Sequence, residues 1–241
     1  MQEESDALRA YYEQAGILIA RPAGGTSCRL AISAKGGTNA ENHNHNDVGS
    51  YAVALGSETM VGDQGGPNSY PGDYFNGDAP QKYKIKGSFG HPVPVVDGRT
   101  QSSGGKAKGV VLQKEFTNEK DVFSINYTSA YSTPNLDKLI RTFVYDRQGK
   151  GSFTVGDEFT AKTPIRFETA ITTRADWKIL DDTHLLLATD SEQMIVAIEA
   201  SGKVAFTSET IEVNSPAYTR IGIALKNQSK EGYIRLKMYT K

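Results

Sequence analysis

From residue 17 onward, apolar and polar side chains alternate in short runs, each closed by Gly, Pro, Asn or Asp. A period of two puts successive side chains on opposite faces of a strand, so these runs read as strands with one buried face. "GILIARP" ends at Pro22, "SCRLAIS" alternates, and "GSYAVALGSETMVGD" predicts a hairpin turning near Gly56 and Ser57. "KYKIKG" and "HPVPVVDG" continue the pattern, with Lys82, Lys84 and Lys86 in phase on one face. Beyond residue 110 come "GVVLQKEF", "DVFSINYT", "KLIRTFVYDRQGKGSFTVGDEF", "IRFETAITT", "HLLLATD", "MIVAIEA", "KVAFTSETIEV", "RIGIALK" and "YIRLKMYT". Strands recurring at roughly 8–12 residues are the rhythm of a sandwich. "DRQGKG" predicts a hairpin turn between Tyr145 and Phe153. Only the start differs. Leu8, Tyr11 and Tyr12 have helical spacing with Gly16 as a stop, which predicts a short helix over residues 3–14.

The expected fold is all-β: a large antiparallel β-sandwich of stacked sheets with a short N-terminal helix. Residues 1–15 form the helical lead-in and 16–241 the β domain. No stretch is long enough for βαβ units, and no repeat of fixed period divides the chain.

Composition changes this picture little. With 241 residues, 38% of them hydrophobic, the chain can bury a sizeable core. Its 27 basic and 28 acidic residues give a net charge of −1, which argues against a dedicated nucleic-acid binder. Cys28 is the only cysteine, so an intrachain disulfide and a cysteine-based zinc site are both excluded. It reads as a buried strand residue. No run approaches the roughly 20 apolar residues of a membrane span. "MQEESDALRAYYEQAG" is acidic without an apolar segment, so no signal peptide is visible, and the chain reads as cut from something longer.

The candidate chemistry lies in "NAENHNHNDVGSYAVALG". In an extended segment His43, His45 and Asp47 would project one way, and Asn44 and Asn46 the other. Imidazoles and a carboxylate are common ligands of first-row metals. Asp63 ends the return strand of the hairpin and His91 opens a later one, so His45, Asp63 and His91 could converge as a His₂Asp site. A tight turn at 56–57 sets Asp63 opposite Ser50, however, so residues 43–47 must fold back to meet it. The alternative is a polar loop in which Asn and Asp satisfy the backbone. A third reading is a metal-dependent hydrolase with Asp47 as base. The Gly/Pro-rich loop at 64–80 carries Tyr70, Tyr74 and Phe75, which suit either sugar stacking or loop packing. The lysines of "QKYKIKG", and Arg99 in the next loop, suit either an anionic chain or a solvated strand face.

These blocks resemble the C-terminal β domain of heparinase II/III-like polysaccharide lyases. "HNHNDVGSYAVALGSETMVGDQG" is similar to the family's His-x-His-x-Asp block with its closing Asp-x-Gly. "GHPVPVVDG" is similar to the next block, and "IRTFVYDRQGKGSFTVGDEF" to a later hairpin. The resemblance spans roughly residues 16–175 and is strongest at 43–65 and 89–98.

The resemblance implies a two-part enzyme in which an N-terminal (α/α) toroid, absent from this sequence, faces the β domain across a cleft. It implies zinc, mainly structural, held by His45, Asp63 and His91, with His43 left facing the cleft as a catalytic residue. The implied reaction is β-elimination on an anionic, uronic-acid polysaccharide. Asn44, Asn46, Tyr70, Tyr74, Lys82, Lys84 and Arg99 are the candidates to contact it. The isolated chain is expected to be inactive or nearly so, and the family link suggests a bacterial periplasmic or secreted setting. The competing function is a non-catalytic carbohydrate-binding or structural β-sandwich module.

Overall fold

The structure is a computed structural model that describes residues 8–63, 65–212 and 216–241. Among these residues, nineteen strands follow one another. The first six are β1 (Arg9–Tyr12), β2 (Ile17–Ala20), β3 (Leu30–Lys35), β4 (Thr38–Asn39), β5 (Tyr51–Leu55) and β6 (Glu58–Val61). A one-turn helix α1 (Ala79–Lys82) precedes β7 (Val95–Val96), β8 (Gly104–Lys108), β9 (Val110–Phe116) and β10 (Lys120–Asn126). Then come β11 (Leu136–Asp146), β12 (Ser152–Ile165), β13 (Phe167–Thr173), β14 (Asp176–Asp181) and β15 (His184–Ala188). The last are β16 (Gln193–Ala200), β17 (Val204–Ile211), β18 (Tyr218–Leu225) and β19 (Ser229–Thr240).

All strand pairs are antiparallel, as local hairpins favour. The large sheet has eight strands in the order β14-β15-β16-β19-β12-β11-β10-β9. A five-stranded sheet, β1-β2-β3-β5-β6, stacks against it, and β17-β18-β13-β7 forms a third. Tyr51 of β5 packs its ring edge on Phe143 at 6.3 Å and lies 5.9 Å from Phe153, which joins the first two layers. Phe159 stacks on Phe167 at 4.6 Å, which joins the large sheet to the third. One apolar core runs through all three sheets. The all-β stack of antiparallel sheets is therefore the architecture that the alternation predicted.

Both predicted hairpins are present. Leu55 pairs with Glu58 across Gly56 and Ser57, and Tyr145 pairs with Phe153. Register follows from period two: Leu139, Phe143 and Tyr145 on β11 and Phe153, Val155 and Phe159 on β12 all point inward.

Four local expectations are corrected. Residues 9–12 form strand β1 rather than a helix, and residues 3–7 of the expected helix lie outside the described residues. A segment this short gains little from helical hydrogen bonds, whereas pairing with β2 completes a sheet edge. Tyr11 also packs on Phe116 and Phe123, each at 5.7 Å. "KYKIKG" is no strand; it is the end of α1 followed by turns. In "HPVPVVDG" only Val95 and Val96 enter a sheet, because prolines remove two ladder donors. Cys28 is buried as expected, but it precedes β3 rather than lying within it.

Candidate metal centre

The loop from His43 to Ser50 is folded rather than extended. His43 takes a left-handed φ of 58°, and the Asn44 N–H donates to the Glu41 carbonyl at 3.2 Å. The expectation that His43, His45 and Asp47 share a face therefore fails. Asp47 turns back to accept from Lys35 Nζ at 2.6 Å, and this ion pair takes it away from any role as a hydrolytic base. Burial of Lys35 would lower its pKa, but Asp47 outweighs that and raises it.

The fold-back is built from long-range polar contacts. The Asn46 N–H donates to the Lys86 carbonyl at 2.9 Å. Gln101, buried in the next loop, accepts from the Val48 N–H at 3.1 Å and donates to the Val48 carbonyl at 2.7 Å. Its Oε1 also accepts from Asn39 Nδ2 at 3.0 Å, and Asn39 Oδ1 accepts from the Asp47 N–H at 3.1 Å. One carboxamide thus clamps both sides of the loop.

Arg141 supplies the deeper support. It is fully buried on β11, with its Nε and one Nη on the two oxygens of Asp157 at 2.8 and 2.7 Å. Its other Nη donates to the carbonyls of Gly49 and Pro92, both at 2.7 Å. Thr169 and Tyr127 complete the shell of Asp157 at 2.7 and 2.6 Å. A buried guanidinium needs this full set of acceptors. Two of them are carbonyls of the loops that carry His45 and His91, so the core arginine sets the spacing of both histidines.

The outcome is that His45, Asp63 and His91 present ligand atoms all within 4.8 Å of one another. The orientation of the His91 ring is fixed by its surroundings. Its Nε2 lies 3.0 Å from the Ile85 carbonyl, which only accepts, so Nε2 carries the proton in the neutral ring. Nδ1 then offers a lone pair. It is buried, has no hydrogen-bond partner, and faces Asp63 Oδ2 at 3.5 Å. With the ring neutral, that lone pair and the partly exposed Asp63 carboxylate face each other, an arrangement that a cation between them satisfies. Burial, and next the nearby His91, push the pKa of His45 down to about 4, so the ring is neutral at pH 7. Burial would raise the pKa of Asp63, but His91 and the Gly65 N–H outweigh it and hold the carboxyl below its usual range. Two neutral imidazoles and a carboxylate are a fitting donor set for zinc. The Tyr74 hydroxyl lies 3.2 Å from His45 Nε2 and fixes the orientation of that ring.

Beside this cluster lies an open depression of about 340 Å³, lined by His43, Asn44, Asn46, Phe75, Lys86 and Ser103 among others. His43 is exposed there, with its ring 4.9 Å from that of Phe75. Asn46 is buried and donates to Ser103 Oγ at 3.0 Å. The other sugar-contact candidates scatter. Tyr74 is buried at 1% exposure, so it packs the loop instead of offering a stacking face. Tyr70 is exposed and rests on Tyr74 and Phe75 at 5.0 and 5.3 Å. Lys82 pairs with Asp73 and Lys84 with Glu209, in a neighbouring groove. Arg99 is exposed in the turn after β7, outside the residues that line the depression. With no strand at 82–86, the three lysines do not share a face.

Two residues that the spacing did not single out matter most: Gln101 and Arg141. Arg141 and Asp157 left a signal. Each is a charge in phase with buried apolar residues of its strand, which marks a paired ion inside the core. Gln101 left none.

Comparison with known proteins follows from this geometry. No protein-family model matches the sequence, and no curated protein matches it. Solved structures do. The fold is that of part of heparinase III. The chain superposes on one heparinase III with a TM-score of 0.74 at 17% identity, over 96% of this chain and 36% of that one. On the heparan sulfate lyase HepC of Pedobacter heparinus the TM-score is 0.76 at 15% identity, over 98% and 37%. A second heparinase III gives 0.73 at 13%, over 98% and 36%. The chain thus spans little more than a third of the length of these lyases. At such identities the likeness to heparinase III is one of fold.

Proposed function

We propose that this chain is the C-terminal β domain of a polysaccharide lyase that cleaves uronic-acid-containing chains by β-elimination. Its contributions are a zinc-held loop and one histidine, His43, for a cleft shared with an N-terminal (α/α) toroid. The observation that carries the reading is the unpaired Nδ1 of His91 facing Asp63, with His45 beside them. A metal held by these residues would lock the loop that presents His43, two residues from His45. The lyase fold over nearly the whole chain supports the same reading.

Zinc, when bound, supplies rigidity and charge neutralisation between His45, Asp63 and His91. The chemistry belongs to the cleft. A base removes the proton α to the uronate carboxylate, the electron pair forms the new C=C bond, and the glycosidic C–O bond breaks. An acid protonates the departing oxygen. His43 is exposed at the depression, and its imidazole is a side chain suited to proton transfer. Its left-handed backbone conformation costs on the order of 1–2 kcal/mol for a side-chain-bearing residue, a strain that fits a residue placed for function. An anionic polysaccharide is the substrate class, and a periplasmic or secreted bacterial setting accompanies it.

The test is His43→Ala in the two-domain protein. Turnover should fall by at least about 100-fold while the fold survives. Unchanged turnover overturns the assignment and favours a carbohydrate-binding or structural module without chemistry of its own. The 241-residue chain alone should be inactive or nearly so, because the remaining cleft residues belong to the toroid. Robust cleavage by it contradicts the proposal.

A further inference from the structure

Lys86 differs from its neighbours Lys82 and Lys84. Those two are exposed and neutralised by Asp73 and Glu209, whereas Lys86 is only 6% exposed. Among the described residues its ammonium has no carboxylate partner. It donates to the Tyr74 carbonyl at 2.5 Å and sits 4.8 Å from the Tyr74 ring and 4.9 Å from the Phe75 ring. An ammonium has three N–H donors, and this carbonyl takes one. Burial draws its pKa below the usual lysine range, the direction expected of a cation without a counter-charge. A partly desolvated cation of this kind attracts an anion far more strongly than a surface lysine does.

The surroundings suit a sugar. Lys86 lines the same depression as His43, Asn44 and Phe75. The paired rings of His43 and Phe75 offer an apolar side to a pyranose.

We propose that this depression is an anion subsite for one acidic sugar of the substrate, with Lys86 as its cation. The choice of a uronate rests on the lyase reading; the shared chemistry is an anionic oxygen group, carboxylate or sulfate. The site lies beside His43, so it places the sugar ring against the residue assigned to proton transfer.

The test uses this chain with three probes: an unsulfated glucuronate-containing tetrasaccharide, its carboxyl-reduced form and its sulfated form. Binding is read from the NMR shifts of the Lys86 ammonium and the His43 ring, and by calorimetry. The acidic probes should shift both residues. Lys86→Met should weaken binding about tenfold or more while keeping the aliphatic packing, and Lys86→Arg should recover most of the loss. Loss of binding on carboxyl reduction names the carboxylate. Binding only of the sulfated probe names sulfate, and both results support the subsite. Equal affinity of the Met variant and the unchanged protein overturns the subsite, as does the absence of any shift at Lys86. Neither result touches the lyase reading, which stands or falls on turnover of the His43 variant. Thermal unfolding separates out a merely structural lysine, whose replacement lowers stability and leaves affinity alone.

Discussion

At the scale of the residue, the site depends on two kinds of side chain. The ligand candidates His45, Asp63 and His91 are ordinary metal-binding types, and their identity is plain from the sequence. What places the two histidines is the buried Arg141–Asp157 pair, whose arginine holds the carbonyls of Pro92 and Gly49, 49 and 92 residues away along the chain. Arg141→Met leaves Asp157 as a buried, unpaired carboxylate and frees the carbonyls of Gly49 and Pro92. Removing one partner of such a pair costs about 3–5 kcal/mol, so urea unfolding should show a loss of that size, together with weaker zinc binding. The pH response of the metal-free protein belongs to the same scale. His45 has its pKa lowered from 6.5 to about 4, so the folded state binds this proton less readily than the unfolded chain. The contribution is complete above about pH 6.5 and is lost progressively as pH falls towards 4. Urea unfolding of the metal-free protein between pH 7 and 4.5 should therefore show a steeper decline than that of His45→Ala. Parallel curves would contradict the assigned environment of His45.

At the scale of the element, hairpins were legible because their turn chemistry and period-two flanks are local. The 145–153 turn shows why a particular residue is needed. Gly151 has φ +79°, and a Cβ there would lie 2.3 Å from Cys28 Sγ. Gly149, in the same turn, has φ +57° with open space around it. Gly151→Ala should cost about 1–3 kcal/mol in unfolding experiments, and Gly149→Ala should cost less, since it bears only the backbone strain. Equal losses would mean that the contact with Cys28 does not matter. Where the local signal was weak, the sequence misled. Leu8, Tyr11 and Tyr12 have a spacing that a helix and a strand edge can both use, and pairing with β2 decided the matter. Lys82, Lys84 and Lys86 alternate as in a strand, yet prolines and glycines on either side break the segment into turns and send each ammonium to a different partner.

At the scale of the whole molecule, the three sheets form a rigid frame whose loops meet at one place. The Gly62 N–H donates to the Thr172 carbonyl at 3.0 Å, and Thr173 Oγ1 donates to the Met60 carbonyl at 2.6 Å. These bonds fasten the strand that leads to Asp63 onto the third sheet. Metal binding should therefore stabilise the entire fold. The chain purified without a histidine tag should contain about one zinc by elemental analysis, and His91→Ala should contain much less. Zinc at about 100 times its Kd should add about 2.7 kcal/mol, and a chelator should remove it, lowering the Tm. Absence of metal in the folded chain would return the cluster to a polar loop.

The sequence by itself determined the antiparallel all-β character, the two hairpins and the residue types of the metal cluster. Each of these rests on interactions between near neighbours, whose period and turn residues can be read directly. Only the tertiary structure decided that the histidine loop folds back, that Asp47 leaves the cluster for Lys35, and that Lys86 rather than Lys82 or Lys84 lines the depression. Those outcomes depend on hydrogen bonds from Gln101 and Arg141 across the sheets, 53 and 92 residues from the Val48 and Gly49 groups they hold. A polar loop has no periodicity of its own to reveal its shape; its conformation is the one that satisfies buried donors and acceptors brought to it by distant strands.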